Sequence, residues 1–390
     1  LGGLLVSWVF PLVSTVMIEY VFGLFLIAFA LIFGEKKEKV GFLGMRLILY
    51  LAIAIIIWPI IFRRYNIFGI MVMIFAFHFI FSRFKNMPRP FYLGLLMVLV
   101  LTSIAEPLWG RHRFIYKHRN YYGIYKIYDE RGQRYLSHGS ILHGMQNLAE
   151  AKKDEPLTYY HRKTLAGRII NNRIFGMRRI GLVGLGTGTL ASYFNCGEEV
   201  DFFEIDPDMA KVASEYFTFL KDASANIRII LGDARLSLEG VADNRYDLLV
   251  IDAFSGDSIP MHLLTIEAFE LYKKCLTNQG VILFHVSNRY LDLSPVLFGN
   301  ANTLGAYACE DFDQTTEEES NSGKLGAVWV AVTWNKQIFE QIVLFGHPRA
   351  TNEEPEKNFR PWTDKYSSVY KILKLNDPLS EIKDFRLFYW

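Results

Sequence analysis

The chain has 390 residues, with 42 Lys plus Arg against 40 Asp plus Glu and a formal net charge of +2. That length accommodates two or three domains, and the balance of charge argues against a dedicated nucleic-acid binder, which usually carries a basic excess. Hydrophobic residues make up 51% of the sequence and crowd into its first hundred positions. Cys196, Cys275 and Cys309 show neither metal-ligand spacing nor an even disulfide framework, so buried free thiols in a reducing compartment are expected.

Four apolar segments open the chain, at roughly 12–33, 41–62, 68–81 and 91–105. The first two are long enough to cross a bilayer core, which takes about 20 helical residues; the other two must recruit flanking residues or tilt little. Charged connectors at 35–39, 63–66 and 83–90 separate them. A membrane-helical region over 1–106, with membrane lipid as a partner, is the expectation. No basic region or small-residue cleavage site frames the first segment as a signal peptide, and the start at Leu1 suits a piece of a longer chain. Basic residues occur in every connector, so orientation rests on the run from Arg111 to Arg119, which favours a cytoplasmic C-terminal side. Glu19, beside Tyr20 in the first span, reads either as a functional group facing the bundle or as a packing residue.

Residues 107–155 predict a small antiparallel β unit. Gly123 to Tyr128 alternates in polarity, Asp129-Glu130-Arg131-Gly132 supplies turn chemistry, and Arg134 to Ser137 resumes a strand. From 156 to 390 strands and helices alternate. Strands are predicted near 179–184, 200–205, 227–231, 247–252, 280–286 and 327–332. Helices are predicted over 188–195, 207–220, 262–276, 293–304 and near 367–373, and the acidic stretch 311–323 reads as a surface loop. This alternation predicts a doubly wound, Rossmann-like sheet of the class I methyltransferase type, with ligands at the carboxyl ends of its strands.

Three motifs fall at consecutive strand tips. Gly184-Leu185-Gly186-Thr187-Gly188 follows an apolar strand, and a glycine turn into a helix lets backbone approach a ligand closely. Glu204 ends the next strand, where an acid can accept hydrogen bonds from both ribose hydroxyls. Gly232-Asp233-Ala234 ends the third, where Asp233 can receive an adenine amino group. A dinucleotide fingerprint would need glycine where Thr189 stands, so S-adenosylmethionine or a close relative is favoured, with no metal expected. The fourth strand leads to Asp252 at its tip and Asp257 on the following loop. Two carboxylates there can hold an ammonium group and take its proton; for Asp257 the alternative is a cap for a helix near Met261.

These residues resemble the spermidine synthases, or polyamine aminopropyltransferases, and especially their membrane-fused bacterial relatives. The resemblance spans roughly 121–373. It takes in the β unit, Gln146, Tyr159-Tyr160-His161, the glycine turn, Glu204, Asp233 and the Asp252 loop, with His285 to Leu291 and Trp362 to Ser367 matching the membrane-fused branch. It implies that Gln146, Tyr160 and His161 lie near the aminoalkyl tail of decarboxylated S-adenosylmethionine, that Gly184, Gly186, Thr187, Gly188, Glu204, Asp233 and Ala234 bind the cofactor, and that Asp252 and Asp257 serve an attacking amine such as putrescine. An integral protein of a bacterial inner membrane with a cytoplasmic catalytic domain follows, and a homo-oligomer stays open. Thr187 departs from the Asp that the soluble family carries in its glycine turn, and four residues separate Asp252 from Asp257 where that family has a compact Asp-x-x-Asp-Pro. Methyl transfer from ordinary S-adenosylmethionine, and a non-catalytic nucleoside sensor coupled to the membrane region, therefore remain as alternatives. Two acids at the reactive position speak against the sensor.

Overall fold

The computed structural model describes residues 113–139, 141–254, 260–288, 290–313, 315–344, 349–350 and 359–374. The four expected spans, Glu19 and Asp257 lie outside the described residues. Among the described residues no helix is long and apolar enough to cross a membrane.

A four-stranded antiparallel sheet comes first, in the order β1 (Phe114–Arg119), β2 (Ile124–Glu130), β3 (Gln133–His138) and β4 (Ile141–Asn147). β2 and β3 form the predicted hairpin. Glu130 pairs with Gln133 across a two-residue turn, and Arg131 and Gly132 both take positive φ, as a hairpin matched to strand twist requires. Alternation along β2 buries Tyr125 and Ile127, and β3 adds Leu136. These three pack against Met209, Val212, Phe217 and Phe219 of the following α/β part in one cluster.

The second sheet has eight strands in the order β12-β10-β11-β9-β8-β5-β6-β7. Its strands are β5 (Arg179–Val183), β6 (Glu199–Glu204), β7 (Asn226–Leu231), β8 (Tyr246–Ile251), β9 (Leu276–His285), β10 (Tyr307–Asp313), β11 (Ala327–Thr333) and β12 (Arg349–Ala350). β5 pairs in parallel with β6 and β8, β6 with β7, and β8 with β9. β11 then inserts antiparallel to both β9 and β10. The short edge strand β12 is likewise antiparallel to β10, and a parallel core with such late antiparallel strands is the Rossmann-like, methyltransferase-type arrangement expected from the strand–helix alternation. Helices cover both faces, so the central strands are apolar throughout: Ile180, Leu182, Leu248 and Val250 face one cluster, and Val183, Leu249, Ile251 and Phe284 the other.

Five expected elements need correction. The helix predicted over 188–195 is only a 3-10 turn at Thr189–Tyr193, entered from left-handed Gly188. The 207–220 helix divides into Pro207–Tyr216 and Phe219–Asp222, because Phe217 turns extended and buries its ring. The 262–276 helix likewise divides where Thr265 caps Ile266–Cys275 after a Met261–Leu263 turn. Most clearly, the stretch 311–323 is no simple loop. Asp311 and Asp313 complete β10, and Thr316 and Glu319 form a capping box for the Glu317–Asn321 helix. The acids tolerate the sheet because distant cations meet them: Arg168 pairs with Asp311, and Lys324 lies 2.7 Å from Asp313 and 2.9 Å from Glu319. The helix expected near 367–373 is a 3-10 turn at Val369–Ile372.

Candidate active site

The carboxyl ends of β5, β6, β7 and β8 open into one cavity, roofed by residues of the antiparallel sheet. Gly184, Gly186, Glu204, Asp233, Ala234, Asp252 and Tyr160 all line it. The glycine turn is a matter of clearance. At Gly184, φ is +97° and an added Cβ would lie 2.2 Å from the Asp252 carbonyl oxygen, so only glycine lets the tips of β5 and β8 meet.

Glu204 is buried, and each of its oxygens already receives a backbone amide: Oε2 from Leu185 at 3.0 Å and Oε1 from Asp206 at 2.8 Å. Burial nevertheless pushes its carboxyl up to about 7, against the opposing pull of those amides. The Ile205 amide also bonds this carboxylate, and its remaining lone-pair capacity can accept a ligand hydroxyl. Asp233 caps the Ala234–Glu239 helix by accepting from Leu236 N at 3.0 Å, while its other oxygen lies 3.1 Å from Nε2 of His262. The acid therefore has a structural duty as well as a place in the cavity.

Asp252 sits at the β8 tip with different partners. The Tyr160 hydroxyl donates to Oδ2, and Nδ1 of His285 lies 2.7 Å from Oδ1. Burial and the nearby Asp252 charge hold the Tyr160 phenol well above its ordinary range, so it stays a donor. His285 ends β9, and its ring is stacked with Tyr159 at 4.3 Å and Trp329 at 4.8 Å. The residue lies within the His285 to Leu291 stretch but was assigned no role there. An apolar strand ending in a polar side chain, the same signal that marks Asp252, would have found it.

Over this floor the small sheet contributes Tyr125, His138 and His143. Tyr125 donates its hydroxyl to Asp206, and its ring lies 4.7 Å from that of His138. Among the described residues, Nε2 of His143 is buried with no hydrogen-bond partner. Burial, then the neighbouring His138 and His285, push the His143 imidazolium down to about 3, so a neutral ring faces the cavity at ordinary pH. The sequence marks Tyr125 only as part of an alternating strand and gives no signal of a site role for these three.

Four predicted site residues do not line the cavity. Gln146 is buried as a clamp: its carbonyl accepts from Thr218 N at 3.1 Å, and its amide donates to Thr218 Oγ1 and Lys153 O. Thr187 is fully buried, its hydroxyl 2.7 Å from that of Thr189; its side chain fills the space where a Cβ on Gly144 would stand. Gly188 is packed against Leu220. His161 turns back onto its own loop, with Nδ1 accepting from Lys163 N at 3.2 Å. Each of the four has packing or hydrogen-bond partners within the chain.

No family model matches the chain. It is 30% identical over 197 residues to a polyamine aminopropyltransferase of Vibrio vulnificus, a match covering 48% of this chain and 64% of that protein. It is 26% identical over 250 residues to a probable polyamine aminopropyl transferase of Bifidobacterium longum, covering 59% of this chain and 52% of that one. Among solved structures, a probable spermidine synthase from Corynebacterium glutamicum is similar at 16% identity and a TM-score of 0.48, over 66% of this chain and 98% of the other. The matched segments thus span less than two thirds of either curated relative.

Proposed function

We propose that the chain is a transferase that moves an aminopropyl group from decarboxylated S-adenosylmethionine to an amine. The observation that carries this reading is the placement of Asp252. It shares one cavity with Glu204 and Asp233, the Tyr160 hydroxyl donates to its carboxylate, and His285 Nδ1 lies 2.7 Å from the other oxygen. Similarity to two aminopropyltransferases supports the class of reaction.

In this reading Glu204 receives ribose hydroxyls, Asp233 the adenine edge, and the neutral His143 Nε2 meets the ligand from the roof. Asp252 holds the acceptor ammonium and takes the proton it must shed. The freed nitrogen lone pair attacks the methylene carbon next to the sulfonium; the carbon–sulfur bond breaks, and its electron pair neutralises sulfur. A carboxylate is suited to this step, since it both attracts a cation and accepts its proton. The first hundred residues would anchor this unit to a bilayer with the cavity on the cytosolic side, where adenosylmethionine-type donors are made.

Incubation of the full chain with putrescine and either decarboxylated or ordinary S-adenosylmethionine tests the chemistry. Methylthioadenosine from the decarboxylated donor is expected. Adenosylhomocysteine from the ordinary donor would replace this reading with methyl transfer. Topology is checked by single cysteines within 317–321 in intact cells: an impermeant thiol reagent should label them only after lysis. Labelling from outside would overturn the cytosolic placement.

A further inference from the structure

We propose that Ser287 fixes the tautomer of His285, and that His285 in turn sets the direction of the Asp252 carboxylate. Both ring nitrogens of His285 have partners: Nδ1 lies 2.7 Å from Asp252 Oδ1, and Nε2 lies 2.8 Å from Ser287 Oγ. Ser287 Oγ also receives the backbone N–H of Val328 at 2.9 Å. A hydroxyl has a single hydrogen and two lone pairs. With one lone pair filled by the amide, its hydrogen is free to be donated, and Nε2 is the acceptor beside it. The ring proton then belongs on Nδ1 and is given to Asp252, because the hydrogen bond at one imidazole nitrogen decides the state of the other.

The ring has little freedom to do otherwise. Tyr159 and Trp329 stack with it, and Phe254 meets it edge-on at 5.1 Å. Among the described residues, the titratable groups around it are Asp252, Tyr159 and Tyr160, with His143 coupled to it through charge. Val328 belongs to β11, whose backbone carbonyl also receives Val286 N at 2.9 Å, so the serine is set by strand pairing. Tautomer and carboxylate direction are therefore inherited from the junction of β9 and β11. His285 acts through Asp252 and is a positioning residue. Its effect on turnover rests on the transferase reading above; its tautomer does not.

Two measurements on the full chain separate these. Nitrogen-15 spectra of histidine-labelled protein, with His285→Phe identifying the resonance, should report a neutral Nδ1–H ring in the wild type and in Ser287→Thr. Ser287→Ala should report a mixture of tautomers. A wild-type ring protonated at Nε2, or a tautomer unaltered in Ser287→Ala, overturns the proposal. With decarboxylated donor and putrescine, Ser287→Ala and His285→Phe should lower kcat on the order of 10–100-fold, as loss of an orienting outer partner does. The donor KM should hold, the pH–rate profile should shift, and Ser287→Thr should restore both. Wild-type activity with kcat and profile unmoved in the two variants sinks the proposal while sparing the transferase reading. Absence of product from wild type sinks the transferase reading, and the tautomer result still stands or falls by itself. If His285→Phe fails to fold, the Ser287 pair carries both readouts.

Discussion

At the β6–β7 end of the cavity the acids lean chiefly on backbone: Glu204 on the amides of Leu185 and Asp206, Asp233 on that of Leu236, with the His262 ring beside its second oxygen. At the β8–β9 end, Asp252 leans on side chains, Tyr160 and His285, the second of which has its own partner in Ser287. Backbone donors arrive with the fold and cannot be substituted away. Side-chain donors carry their own protonation states and rotamers, and each can be lost in one replacement. The first end is built for constancy, and the second for adjustment of the group it holds.

The contrast breaks most visibly at Asp252. Asp252→Asn should lower turnover by on the order of 10²–10⁴, the range for loss of a positioned proton acceptor. Donor affinity measured by calorimetry should hardly move, as expected for a group whose contribution comes in the reacting state. Equal losses in binding and turnover would abolish the distinction between the two ends. Smaller effects belong to the backbone-held pair. Glu204→Ala and Asp233→Ala should each weaken an adenosyl thioether by about 1–3 kcal/mol through lost hydrogen bonds. Asp233→Ala should also cost about 1 kcal/mol of stability as a removed helix cap, seen as a lower Tm. Unchanged affinity in both variants removes this end as a nucleoside site.

The finest test uses pH. Burial lifts Glu204 from its ordinary 4.5 to about 7. Between those values the folded chain holds a proton that the unfolded chain has released, so the group's contribution to stability is full below the ordinary value and is lost as pH rises through about 7. Ligand hydroxyls donate to the ionised form. Thioether affinity should therefore increase from about pH 6 to about pH 8, by up to roughly tenfold, the equivalent of one unit of differential protonation. Calorimetry across that interval, with Glu204→Ala as the flat reference, decides it. Parallel profiles for the two proteins would mean that no hydroxyl reaches this carboxylate.

Much of the β6–β7 end was legible in the sequence because its parts are local. A strand, a glycine turn and an acid at the next tip fall within one stretch of chain, and apolar runs such as Ile180–Val183 announce buried parallel strands. The β8–β9 end was only half legible. Asp252 stands out at a strand tip, whereas His285 and Ser287 gain meaning from strands that meet far along the chain. β10 escaped notice for the same reason: Asp311 and Asp313 look like loop residues until Arg168 and Lys324 arrive from elsewhere to neutralise them. Gln146 was legible as a polar residue of interest but not in its role. Its partner Thr218 lies beyond β5 and β6, at a turn that no periodicity marks.

The cluster of Tyr125, Ile127 and Leu136 with Met209, Val212, Phe217 and Phe219 has a consequence for how the molecule comes apart. Neither contributor can keep these side chains dry alone, since a short antiparallel sheet gains its stability from what packs on its apolar face. The small sheet and the Pro207–Tyr216 helix should thus melt in one transition, with no populated species in which the sheet has lifted away. A chain trimmed of the sheet would present a sticky apolar strip beside the cavity and clump before it could be assayed.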